Sequence, residues 1–155
     1  MRPAKALVSA SALQHNFKQV RNYAPLAQVL AVVKANGYGH GLVWTARQLP
    51  EADGFAVASV EDGKLLREAG IKKPVVLLEG FFHADELEEM SRLKLDSVVH
   101  HWSQLWDLEH VTGLSQPIDV WIKIDTGMHR IGFDRGRNPH YFLLASSRAA
   151  SFSSR

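Results

Sequence analysis

The chain has 155 residues, 46% hydrophobic and 22% charged, an ordinary globular balance that leaves room for one domain or part of one. Its net charge of +2 comes from lysines and arginines scattered without a basic stripe, which argues against a nucleic-acid partner. The absence of cysteine excludes disulfides and thiolate metal sites.

Met1 to Val8 lacks the apolar core and small-residue cleavage site of a secretory signal, and no segment is long enough to span a bilayer. The default expectation is a cytoplasmic protein. Ala6-Leu7-Val8 is the first of several β-branched apolar runs and reads as a strand. Ser11-Ala12-Leu13-Gln14 reads as a capping box, opening a helix whose apolar stripe is Leu13, Phe17 and Val20.

The next run, Val29 to Val33, reads as the second strand and delivers Lys34 into Ala35-Asn36-Gly37-Tyr38-Gly39-His40-Gly41. A lysine at a strand end is ordinarily a charge leaving the core for water. Here three glycines in five positions relax the backbone for close approach to a ligand, and Tyr38 and His40 add hydrogen-bonding groups. The pattern is not a phosphate loop, because the lysine precedes the glycines. An amine with a reference pKa of roughly 10.4 becomes a nucleophile or base only when its surroundings hold it neutral or in an imine.

Helical patterns follow over Gly41 to Leu49 and Ser59 to Ala69, the latter stopped by Gly70, and again over residues 84 to 93 and 102 to 111. In the last of these, Trp102 and Trp106 stand one turn apart and read as packing. Strand-like runs separate the helices at Phe55-Ala56-Val57, Val75 to Leu78, Val98-Val99 and Val120 to Ile124. Alternation of strand and helix with short connections implies parallel strands, in either a doubly wound sheet or a (β/α)8 barrel. Periodicity does not choose between them. A barrel takes about 250 residues, so the barrel reading requires the chain to supply only about six of its βα units.

Period two places Leu30, Val32 and Lys34 on one face of their strand, and Trp121, Lys123 and Asp125 on one face of theirs. If Val120, Ile122 and Ile124 face an outer helix layer, Lys123 points inward, where a lone lysine is costly unless paired or modified. Asp125-Thr126-Gly127 is also the catalytic triplet of aspartic proteases, but those are all-β and pair two such aspartates. The eight histidines show no metal-ligand spacing, so no metal is expected.

Val33-Lys34-Ala35-Asn36-Gly37-Tyr38-Gly39-His40-Gly41 resembles the pyridoxal-phosphate attachment signature of bacterial alanine racemases. Leu77-Leu78-Glu79-Gly80-Phe81-Phe82 and the segment from Trp121 to Gly132 follow in the family's order, so the resemblance covers roughly residues 4 to 133. It implies a partial (β/α)8 TIM barrel, with residues 1–133 its N-terminal part, 134–155 a divergent tail expected to be disordered, and the family's C-terminal β domain absent. It implies pyridoxal 5'-phosphate bound covalently to Lys34, which would also be the catalytic base toward D-alanine, with Tyr38 on the cofactor phosphate.

Arg130 would bind substrate and cofactor, oriented by Lys123, whose counterpart in the family is often carbamylated. The implied activity is interconversion of L- and D-alanine, supplying D-alanine for peptidoglycan, in a homodimer, with serine open as a substrate. The alternatives are a non-catalytic pyridoxal-phosphate-binding barrel protein and an inactive truncated form.

Overall fold

The structure is a computed structural model that describes residues 5–134. In chain order the elements are α1 (Ala10–Tyr23), β1 (Leu30–Val32), α2 (Lys34–Tyr38), α3 (Leu42–Gln48), β2 (Gly54–Val57), α4 (Val60–Glu68) and β3 (Val75–Leu77). They continue with α5 (Glu86–Leu93), β4 (Asp96–Val99), α6 (Trp102–His110), β5 (Val120–Ile122), β6 (Ile124–Asp125) and β7 (Phe133–Asp134).

Strands β1 to β5 form one sheet in sequential order, every neighbouring pair parallel, and β6 pairs with β7 in a separate parallel ribbon. A doubly wound sheet reverses strand order at a switch point. No reversal occurs here. The five strands are wound in one direction, as in a (β/α)8 barrel, and make up part of its wall.

Local chemistry sets the element ends. Two serines compete to start α1, and Ser9 wins: its hydroxyl accepts from the Ala12 amide at 3.2 Å, so the helix begins earlier than the Ser11 box predicts. Pro25 disfavours helical geometry at Ala24 and ends it. The Ser59 hydroxyl caps α4 on the Asp62 amide at 3.3 Å, as the sequence predicts.

The two faces of the sheet differ. Phe55, Val57, Val75, Leu77 and Val99 are buried against a helix layer that contributes Phe17, Leu42, Leu66, Leu87, Met90 and Leu105. Each such side chain stabilises the fold by about 1.5–3 kcal/mol relative to exposure. The other face carries Leu30, Val32, Ala56, Val76, Val98 and Trp121, none of them in that core. Ala56 and Val76 are buried at the middle of the sheet, whereas Leu30, Val32 and Trp121 are exposed at its margins. This is the face that becomes the interior of a barrel.

Arg67 ties the bottom of the sheet. Its Nε donates to the Leu93 carbonyl at 2.7 Å, Nη1 to those of Ile71 and Lys73 at 2.9 and 2.7 Å, and Nη2 to that of Lys94 at 2.6 Å. One rigid fork thereby joins the loops that lead into β3 and β4.

Three readings need correction. Ala6-Leu7-Val8 is not a strand: residues 5–9 have no regular structure, and Leu7 is 95% exposed. Among the described residues no strand pairs with this run, and three apolar residues left unpaired gain nothing from an extended conformation. Lys34 therefore follows the first strand of the sheet, not the second. The run Val120 to Ile124 divides, β5 staying with β4 while Ile124 turns to β7 and is exposed. Trp102 packs edge-on to Phe133 with ring centroids 5.4 Å apart, but Trp106 points outward and stacks on His110 at 3.9 Å. The expected tail, residues 134–155, lies outside the described residues beyond Asp134.

Candidate active site

The C-terminal ends of parallel strands are where α/β folds build sites, because loops of independent sequence converge there on a rigid sheet. Lys34 stands at that end of β1. Val33 is fully buried on the helix side, so strand alternation sends Lys34 to the inner face, after Leu30 and Val32. Its side chain is 30% exposed, and Nζ donates to Glu79 Oε1 at 3.5 Å.

The turn after Lys34 is left-handed. Ala35, Asn36, Gly37 and Tyr38 have φ of 52°, 55°, 62° and 54°, and Gly39 follows at 87°. For the three residues with side chains this conformation costs roughly 1–2 kcal/mol each. Hydrogen bonds sustain it: the Gly37 amide donates to the Val33 carbonyl at 2.8 Å, the Gly41 amide to that of Asn36 at 2.8 Å, and the Leu42 amide to Asn36 Oδ1 at 3.0 Å. Tyr38 emerges 60% exposed from the turn that begins with the lysine. His40 uses Nδ1 on the Gly37 carbonyl at 2.9 Å, a contact that fixes the turn.

The loop after β3 carries the carboxylate that meets the lysine. Gly80, at φ 69°, lies so close to β4 that a Cβ there would stand 2.3 Å from the Val98 carbonyl oxygen. Gln104, buried on α6, donates Nε2 to the carbonyls of Glu79 at 3.0 Å and Phe81 at 3.1 Å, and its Oε1 accepts the His100 amide at 3.0 Å. His100 Nε2 also meets the Glu79 carbonyl at 3.0 Å.

Lys123 and Arg130 belong to the far side of the sheet. Lys123 follows β5 on the face of Trp121, partly buried, its amide donating to the Val99 carbonyl at 2.9 Å. Arg130 is exposed on the loop between β6 and β7. Asp125 organises that loop: Oδ1 accepts from the amides of Gly127 at 2.9 Å and His129 at 3.0 Å, and Oδ2 meets His129 Nδ1 at 3.0 Å. These amide donors hold its carboxyl below the ordinary carboxylate value. A carboxylate so occupied, single and in a parallel sheet, removes the protease reading.

The fold thus joins Lys34 with Tyr38 in one turn and Lys123 with Arg130 along one strand and loop, with β2, β3 and β4 between the pairs. Sequence reading gives no role to Glu79, His100 or Gln104. Gln104 leaves a trace: it is a polar residue at helical spacing from Leu108, within the buried stripe of α6. Among the described residues no group of three or more His, Asp or Glu is arranged to hold a metal ion, and no helix is long and apolar enough to cross a membrane.

Known proteins share this arrangement. The family model for the alanine racemase N-terminal domain matches residues 8–146. The biosynthetic alanine racemase of Escherichia coli O6:H1 (strain CFT073) is 50% identical over 132 residues, 85% of this chain and 36% of that protein. Among solved structures, biosynthetic alanine racemase from Pseudomonas aeruginosa superposes with a TM-score of 0.86 at 40% identity, covering all of this chain and 41% of that one. The alanine racemase of Acinetobacter baumannii gives 0.81 at 34% identity, covering 91% of this chain and 42% of that one. The chain spans about a third of the length of the curated relatives it matches. With the family model covering most of its length, the chain belongs to the alanine racemase N-terminal domain family.

Proposed function

We propose that this chain supplies the lysine-bearing part of a pyridoxal-phosphate-dependent alanine racemase, which interconverts L- and D-alanine and provides D-alanine for peptidoglycan. The supporting observation is Lys34 itself: a partly exposed amine at the C-terminal end of an inner-face strand, within the family's signature. The surroundings fit the cofactor. Leu30 and Val32 offer exposed apolar surface beside the amine for an aromatic ring, and Tyr38 brings an accessible hydroxyl suited to a phosphate oxygen.

Lys34 and Tyr38 would hold the group, the first through its amine and the second through its hydroxyl. When bound, pyridoxal phosphate supplies the electron sink that makes the α-proton of alanine removable near neutral pH. The Lys34 amine would take and return that proton on one face of the substrate. Arg130 offers a planar fork to the substrate carboxylate or a ring oxygen, and a carbamylated Lys123 would give it an anion to orient against. Action on the opposite face, the homodimer and a cytoplasmic location belong to the same reading, by likeness to the family. So do a boundary near residue 133 and a divergent tail after it.

The test is to incubate the purified chain with pyridoxal phosphate, reduce with borohydride and map the modified lysine by mass spectrometry. A pyridoxyl group confined to Lys34, and lost in Lys34→Ala, is the expected result. Scattered labelling would overturn the reading. Labelling of Lys34 without conversion of L- to D-alanine would favour a non-catalytic cofactor-binding barrel.

A further inference from the structure

On the inner face Lys34 is paired with an anion. Lys34 Nζ and Glu79 Oε1 are 3.5 Å apart although they come from β1 and the loop after β3, with β2 between them. Such a long reach between flexible side chains ordinarily has little persistence. Here one end of the pair is prevented from drifting. Gln104 and His100 both hold the Glu79 carbonyl, Gln104 also holds that of Phe81, and Gly80 is pressed against β4. The buried Gln104 amide finds all its partners in this loop and the His100 amide, so moving the loop would leave a buried polar group unpaired.

We propose that Glu79 is the resting counter-ion of the Lys34 amine, its loop set in place by Gln104 and His100, so that the amine is held oriented until a carbonyl ligand displaces the carboxylate. Glu79 and Gln104 are thus positioning residues for the lysine. The importance of that lysine rests on the function proposed above; the pairing itself does not. The amine attacks a carbonyl only once its nitrogen is free of the carboxylate to which it donates.

Acetic anhydride reads this without cofactor. It acylates a neutral amine, forming the amide bond as acetate leaves and the amine proton passes to solvent. Per-lysine acetylation rates at fixed pH, measured by mass spectrometry on the full chain, should rise roughly threefold at Lys34 alone in Glu79→Gln, and also rise in Glu79→Asp, whose shorter side chain cannot span the 3.5 Å contact. Gln104→Leu should move the Lys34 rate the same way. Added to Glu79→Gln it should change nothing more, because it acts through the same carboxylate.

In the native chain, raising salt from 0.05 to 0.5 M should speed Lys34 relative to the exposed Lys72 and Lys94, which keeps the test independent of any variant's folding. An unchanged Lys34 rate in folded Glu79→Gln, or no relative change with salt, overturns the proposal. Failure of pyridoxal phosphate to label Lys34 would refute the cofactor reading and leave this result standing.

Discussion

Gly80→Ala puts a methyl group where the structure has no room for one. The new Cβ would lie 2.3 Å from the Val98 carbonyl oxygen, 2.6 Å from Gln104 Nε2 and 3.2 Å from Ser97 Oγ. The first of these is backbone of a central strand, so relief must come from the loop or from Gln104. Holding alanine at φ 69° costs about 1–2 kcal/mol. Displacing the Gln104 amide strips a donor from the buried Phe81 carbonyl, a further cost of about 1–3 kcal/mol.

The expected destabilisation is about 2–5 kcal/mol. Gly70→Ala is the control, since Gly70 also has positive φ, 85°, yet a Cβ there meets nothing within 4 Å. It should lose only the conformational part. Urea unfolding of the full chain, followed by circular dichroism, separates the two. With an m-value near 2 kcal/mol/M, the midpoint should fall by about 1–2.5 M for Gly80→Ala and about 0.5–1 M for Gly70→Ala. Equal midpoints for the two variants would refute the claim that close approach to β4 fixes this loop.

Arg67→Met keeps the aliphatic stem and removes four donors to loop carbonyls, so thermal unfolding should show a loss of about 2–4 kcal/mol; a change under 0.5 kcal/mol would mean those loops hold themselves. Asp125 titrates below the ordinary 3.8, so its loop contacts contribute fully above that value and are lost as pH falls through the lower folded value. The amide proton shifts of Gly127 and His129, followed by NMR, should therefore move together below pH 3.8. Asp96 runs the other way. Burial raises its carboxyl, with the nearby Asp119 adding and the Trp121 indole opposing, so its ionisation destabilises the fold as pH rises above 3.8. Asp96→Asn should raise the urea midpoint at pH 7 and leave it nearly unchanged at pH 3.

The placement of Lys34 is legible in sequence because it depends on local order: a strand and its alternation fix which face the amine leaves by. The parallel α/β sheet is legible for the same reason. The handedness of residues 35–38 is not. Alanine and tyrosine have no preference for positive φ, and the turn adopts it because Val33, Asn36 and Leu42 supply hydrogen bonds that outweigh the strain. Glu79 is hidden differently, since its partner lies 45 residues away at the end of β1, which β2 separates from β3 and the loop that carries Glu79. The false strand at Ala6-Leu7-Val8 shows the limit of composition: a strand is a relation between two segments, and one segment cannot state it. Ser9 against Ser11 is a choice between two adequate caps, decided by where the chain enters the helix.

The sequential order of the sheet also bears on how the molecule is made. Within the five-stranded sheet each strand after β1 pairs with the one synthesised just before it, so this wall grows by adding units to an existing edge. When Gln104 leaves the ribosome, β1 to β4 and the glycine loop against which it packs have already emerged. The lysine, its carboxylate and the glutamine that holds the carboxylate's loop all precede β5 in the chain, so these contacts need none of the strands that follow.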